Sequence, residues 1–170
     1  DLRPGDAILG GAEELRLQSV GAGPLRLLRL PMTSPDDGTR ATPLRAGAFF
    51  TQPGEPGREG QVRLLLDAVS FGKAPPASLA ELSFPPSAGV PPHQHEGSDE
   101  LIYIVAGSAV MTAGAAGEVV VGPGDVILIP RGTSHSLRVT QRLQAVQSYT
   151  PSGPEARFRR PPAGPQGKKP

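Results

Sequence analysis

From Gln61 onward the apolar residues come in short runs at nearly regular intervals, each bounded by Gly, Pro, Ser or Thr. The pattern predicts strands at Val62–Val69, Leu79–Phe84, His93–His95, Leu101–Ala106, Ala109–Ala113, Glu118–Val121, Val126–Pro130, His135–Thr140 and Leu143–Tyr149. Short strands with turn residues between them, and no room for crossover helices, predict an all-β sandwich or barrel rather than a βαβ sheet. Val119–Val121 and Val126–Ile129 are apolar on both faces and flank a tight Gly122-Pro123-Gly124-Asp125 turn. Such strands are expected between two packed layers or at a subunit contact.

The two ends of the chain lack this rhythm. Gly11–Gln18 is a weak helical stretch and Pro24–Leu30 a partly alternating one, read as a strand. Between Pro31 and Gly60 the chain is broken by Pro31, Pro35, Pro43, Pro53 and Pro56, with Phe49-Phe50 as its apolar anchor. A loop of that length in a compact domain is usually a lid or an edge covering, so residues 31–60 are expected to wrap over a sheet or over a site. After Tyr149 the punctuation returns and the chain ends in Pro161–Pro170. The expected organisation is an irregular N-terminal extension over 1–60, a barrel over 61–151 and a Pro/Gly-rich tail over 152–170.

Composition narrows the function classes. The 170 residues carry a formal net charge of +1, which creates no global field for nucleic acid or an anionic membrane. Arg157, Arg159, Arg160, Lys168 and Lys169 make the tail basic, but with Phe158 as its one aromatic it reads as a solvated end that packs no core. The chain has no cysteine, which excludes disulfides, thiolate nucleophiles and thiolate metal sites. No apolar run approaches the roughly eighteen residues that span a bilayer, so the chain as given is expected to be soluble. It begins at Asp1 rather than Met, the expectation being a processed or trimmed segment upstream, which permits an exported mature chain.

The candidate chemistry lies in Pro91–Gly107, which holds two of the three histidines. In a strand, residues two apart share a face, so His93 and His95 are expected to point into one space and Gln94 away from it. Glu96-Gly97-Ser98-Asp99 is turn chemistry, with Glu96 and Asp99 expected in solvent, and Glu100 opens the next strand beside the imidazoles. Pro130 and Gly132 bring His135 to the start of another strand, available to the same interior. Two or three neutral imidazoles and a carboxylate suit a first-row divalent ion.

At this point the sequence resembles a known family. His93-x-His95-x4-Glu100-x6-Gly107 resembles the first motif of the cupins, and Gly124-x5-Pro130-x-Gly132-x2-His135 most of the second. Ser87 stands where a glycine often opens the first motif, and Val139 where an asparagine often closes the second. The resemblance covers about Leu79 to Pro151. It implies a single-domain (monocupin) double-stranded β-helix, or jelly-roll barrel, with the metal in its mouth, and a homodimer.

A 3-His/1-Glu set, His93, His95, Glu100 and His135, thus becomes the expected ligand set for one Fe, Mn, Ni, Cu, Co or Zn ion. Three neutral imidazoles and one carboxylate leave such an ion at a net charge of about +1, which favours a small anionic or chelating ligand. Strand parity places Ile102, Ile104, Leu137 and Val139 around an apolar pocket, with Gln147 and Tyr149 as polar contacts within reach, and turns Tyr103 outward. Ser134 lacks a nucleophile elbow and is assigned to a turn. Two functions follow: a metal-dependent dioxygenase, isomerase or lyase, or a non-catalytic ligand-binding, sensory or structural protein using the same barrel.

Overall fold

The computed structural model describes residues 7–9, 28, 42–44, 49–52 and 58–159. The helix expected at Gly11–Gln18, most of Pro24–Leu30 and the Pro161–Pro170 end lie outside them. The elements are β1 (Ala7–Leu9), β2 (Thr42–Leu44), β3 (Phe49–Gln52), β4 (Gly60–Leu66), α1 (Ala68–Phe71), β5 (Leu79–Phe84), β6 (Gly89–His93), β7 (Asp99–Ala113), β8 (Glu118–Val121), β9 (Val126–Ile129) and β10 (His135–Thr150). Two 3-10 helices, η1 (Gly114–Ala116) and η2 (Pro154–Arg159), complete them. β1 and β2 form a small antiparallel pair of their own.

All other strands join one antiparallel eight-stranded system in the order β3-β4-β5-β10-β7-β8, with β6 on β10 and β9 on β7. The all-β expectation holds, and the curled system is a jelly-roll β-barrel. β10 organises it: its first half is flanked by β6 and the end of β7, its second half by β5 and the start of β7. The sequence rhythm splits β7 and β10 into two strands each, whereas each runs unbroken across the corner of the barrel, with register irregularities from Val139 to Ala145. Gly107 sits at that corner with φ of 81°, where an added Cβ would stand 1.9 Å from the carbonyl oxygen of Arg142. A side chain cannot fit there, so the motif glycine sets how closely β7 and β10 cross.

The core follows period-two alternation. In β5, Ala80, Leu82 and Phe84 are buried while Leu79, Glu81 and Ser83 are less so, and they meet Val62 and Leu64 of β4 and Ile102 and Ile104 of β7. On the outer face the register pairs Arg63 with Glu81, and the two side chains form an ion pair. Strand β4 stops at Leu66 because Asp67 caps α1, accepting from the Ser70 backbone while the Ser70 hydroxyl accepts from the Asp67 backbone. Ala68 and Val69, expected in the strand, therefore belong to the helix.

One further expectation is narrowed and another corrected. β8 and β9 both lie along β7, and their turn is anchored by bonds joining Ile104 to Gly124 and Asp125. Among the described residues no second layer covers them, since Val119, Val120, Val126 and Leu128 are exposed, which goes against the packed-layer alternative. The segment after Tyr149 is no solvated tail as far as Arg159. η2 packs on β3, Phe158 joins the core, and Arg159 pairs with Asp67 and lies 5.3 Å over the ring of Phe50. No helix among the described residues is long and apolar enough to cross a membrane.

Candidate metal centre

His93 and His135 arrive at the mouth from paired strands. β6 ends at His93, which stands opposite His135 in the ladder, and their rings lie 4.1 Å apart. Each imidazole is held from behind: His93 Nδ1 is 2.9 Å from the Pro91 carbonyl, and His135 Nδ1 is 2.9 Å from the Thr133 carbonyl. A carbonyl only accepts, so both Nδ1 atoms carry the proton and both Nε2 atoms turn a lone pair toward the interior when the ring is neutral.

His95 does converge with His93, their centroids 4.9 Å apart, but not by strand alternation. The strand has ended at His93, and His95 stands in the following loop. Its carbonyl accepts the Gly132 N–H at 2.9 Å, which fixes this loop to the one before His135. Gly132 has φ of 75°, and the reversal it permits is what makes that bond reachable. Asp99 adds a second tie, accepting the Arg131 backbone N–H at 2.9 Å and pairing with its guanidinium at 3.0 Å. Asp99 is therefore partnered across the two loops rather than simply solvated, whereas Glu96 is exposed and accepts from Gln94.

Glu100, the second residue of β7, is buried and faces this group. Its Oε1 accepts from the Gln147 amide, and its Oε2 lies 2.9 Å from His135 Nε2 and 3.3 Å from His95 Nε2. Burial alone would push this carboxyl up, but contacts from His135, His95 and Gln147 prevail and hold it at about 2. Burial pushes His93 down and the charge on His135 adds to that; for His135 burial is outweighed by Glu100 and the Thr133 carbonyl, which raise it.

The four donor atoms lie within 4.8 Å of one another. Glu100 Oε2, His95 Nε2 and His135 Nε2 are buried with no hydrogen-bond partner outside their own group. Once the imidazoles are neutral, their lone pairs and the carboxylate converge on one space that only a cation satisfies, so the donor set fits a divalent ion.

The pocket expectations divide. Ile102, Leu137 and Gln147 line a cavity of about 30 Å3 together with His93, Glu100 and His135. Ile104 and Val139 are buried in the core and do not line it. Tyr149 is buried with its ring edge-on to His95 at 4.8 Å, and its Oη accepts from Gln147 at 2.9 Å. Tyr103 is partly exposed, as its parity predicts. Ser87 adopts φ of 67°, a left-handed conformation that explains a glycine preference at this position. Beyond the candidate ligands and Gln147 the lining is mostly apolar, with the addition of Arg157 of η2, which reaches it and donates to Tyr149 Oη at 3.1 Å. Sequence reasoning missed Arg157; the signal was Phe158, an apolar residue able to dock the segment. A larger groove of about 450 Å3, lined by Ser87, Val90, Glu118 and Arg138, contains none of the four donors.

Residues 80–146 match the family model of the cupin domain. No curated protein sequence matches the chain. Among solved structures, KdgF from Halomonas sp. is 23% identical with a TM-score of 0.52, and the match covers 65% of this chain and 98% of that one. A variant of oxalate decarboxylase from Bacillus subtilis is 19% identical with a TM-score of 0.54, covering 66% of this chain and 29% of that one. Another structure of that enzyme, concerned with its Mn(II) centres, is 19% identical with a TM-score of 0.52 over 64% of this chain and 28% of that one.

Proposed function

This chain carries a cupin domain, and from that premise we propose that it holds one divalent transition metal on His93, His95, Glu100 and His135, where it binds or transforms a small anionic or chelating molecule. The observation that carries the reading is the set of buried Nε2 and Oε2 atoms, without partners outside their own group, that converge at the barrel mouth. A bound ion would supply Lewis acidity and open coordination positions for an oxygen donor. The protein's own groups do the rest. Pro91 and Thr133 fix the tautomers of His93 and His135, Gln147 orients Glu100, and Ile102, Leu137 and Phe158 limit water in the cavity.

Three neutral imidazoles and one carboxylate would leave the site at about +1, which supports an anionic ligand. Chemistry of the dioxygenase, isomerase or lyase type suits such a centre, and the Mn(II) of the Bacillus subtilis oxalate decarboxylase supports manganese among the candidate ions. The exposed row Val119, Val120, Val126 and Leu128 supports a homodimer through β8 and β9.

Elemental analysis of anaerobically purified protein tests the reading. About one divalent ion per chain is expected, with Glu100→Ala retaining markedly less. Protein never exposed to chelator that contains no metal would overturn it. Small-molecule extraction, followed by turnover assays on what is recovered, separates an enzyme from a binding protein.

A further inference from the structure

Among the described residues three arginines are partly buried. Arg63 is paired with Glu81 and Arg159 with Asp67, so their charges are met inside the protein. Arg157 is not: among the described residues it makes no ion pair, and its one hydrogen bond goes from Nη2 to Tyr149 Oη at 3.1 Å. Its guanidinium rests 4.6 Å over the ring of Phe158 and 5.8 Å from that of Tyr149, a stacked setting that fixes its plane. It lines the same cavity as His93, Glu100, His135 and Gln147. A guanidinium has five N–H donors, and most of these have no acceptor here. A partly desolvated cation with unused donors, beside a site that is itself cationic when loaded, calls for an anion between the two.

Shape selects the anion. The cavity of about 30 Å3 has room for roughly two waters, which suits a planar carboxylate better than a tetrahedral phosphate. A planar fork of donors also matches a carboxylate bidentately. We propose that Arg157 is the specificity-determining residue of this site and that the ligand is a small carboxylic acid, its carboxylate held by Arg157 while a second oxygen donor faces the histidines. The assignment rests on the metal site proposed above. It gives η2, outside the matched cupin segment, the task of choosing the ligand.

The test uses the full chain loaded with Mn(II) and calorimetric titration with oxalate, glycolate, inorganic phosphate and the neutral chelator acetohydroxamic acid. For Arg157→Met, carboxylate affinity is expected to fall about tenfold or more, while acetohydroxamic acid changes less than about threefold. Metal per chain should stay at the wild-type level, and Arg157→Lys, which keeps the charge and loses the fork, should fall between the two. Carboxylate affinity in Arg157→Met within about twofold of wild type, or phosphate bound more tightly than either carboxylate, would overturn the assignment. If Arg157→Met does not fold, Arg157→Lys decides, because equal oxalate binding by the lysine variant and wild type contradicts recognition by the fork. If wild type holds no metal, the metal reading fails separately. The same oxalate titration of the metal-free chain then reads Arg157 directly: loss of binding in the variant supports it, and equal or absent binding rejects it.

Discussion

Gln147 donates its side-chain amide to Oε1 of Glu100, while Oε2 of the same carboxylate faces the imidazoles of His95 and His135. The two residues are 47 positions apart, on β10 and β7. Gln147→Leu keeps the approximate shape and removes the donor. Metal affinity is expected to fall roughly tenfold to a hundredfold, as is usual for partners behind metal ligands. Competition with a chelator of known affinity measures it, and an unchanged affinity would show that Glu100 needs no such support.

Acid should destabilise the metal-free protein through Glu100. Its carboxyl is held at about 2 against an ordinary 4.5, so the folded state binds fewer protons than the unfolded chain. The stabilisation is present above pH 4.5 and is lost as pH falls from 4.5 toward 2. His135 is raised from 6.5, so its contribution is complete below pH 6.5 and is lost as pH rises through its higher value. His93 is lowered, and its contribution runs the other way, present above pH 6.5 and lost on acidification. The histidines oppose each other, so the loss that begins at pH 4.5 is that of Glu100, joined below pH 3.8 by Asp67 and Asp99, whose arginine partners also hold them low. Urea midpoints of chelator-treated wild type should therefore drop across that interval, and those of Glu100→Gln should change less. Parallel profiles would exclude Glu100 as the cause.

Metal retention should weaken on acidification at higher pH. His135 must shed its proton before its Nε2 can bind an ion, and its raised value makes that harder than for a free histidine. Metal content after dialysis at stepped pH checks this, with a decline expected as pH falls through the neutral region. Retention independent of pH down to 5 would contradict a histidine-dominated site.

The β8–β9 face should control association. Val120 is 74% exposed and Leu128 67% exposed, and lysine at both positions is expected to yield monomers by light scattering while the far-UV spectrum stays unchanged. A monomeric wild type would remove the homodimer reading.

Phe158 ties η2 to the core. Phe158→Ala is expected to lower stability by about 3 kcal/mol, a fall in Tm of roughly 8 °C for a domain of this size. Thermal unfolding checks it, and a shift below about 2 °C would mean that η2 contributes little to the fold.

The barrel was legible because period-two burial writes itself into residue order, as in the alternating Ala80, Leu82 and Phe84 of β5. The candidate donor set was legible because histidine, glutamate, glycine and proline at fixed offsets answer local needs of backbone and side chain. The strand breaks placed near Gly107 and Thr140 were not real, because a chain that bends while keeping its ladder loses its alternation without ending. His95 was right in place and wrong in cause. Its direction comes from a loop whose carbonyl is caught by Gly132, a contact 37 residues away that no local pattern contains.

By itself, then, the sequence determined the all-β barrel, its turns and the four residues that meet at its mouth, since each depends on neighbours within a few positions. Only the tertiary structure decided that Gln147 aims Glu100, that Ile104 and Val139 belong to the core, and that Arg157 stands in the cavity. Those outcomes depend on which strands cross and on how the barrel corner closes. Such relations are set by packing between residues distant in the chain, and a guanidinium that looks like a solvated charge in sequence comes to line the cavity once Phe158 docks beside it.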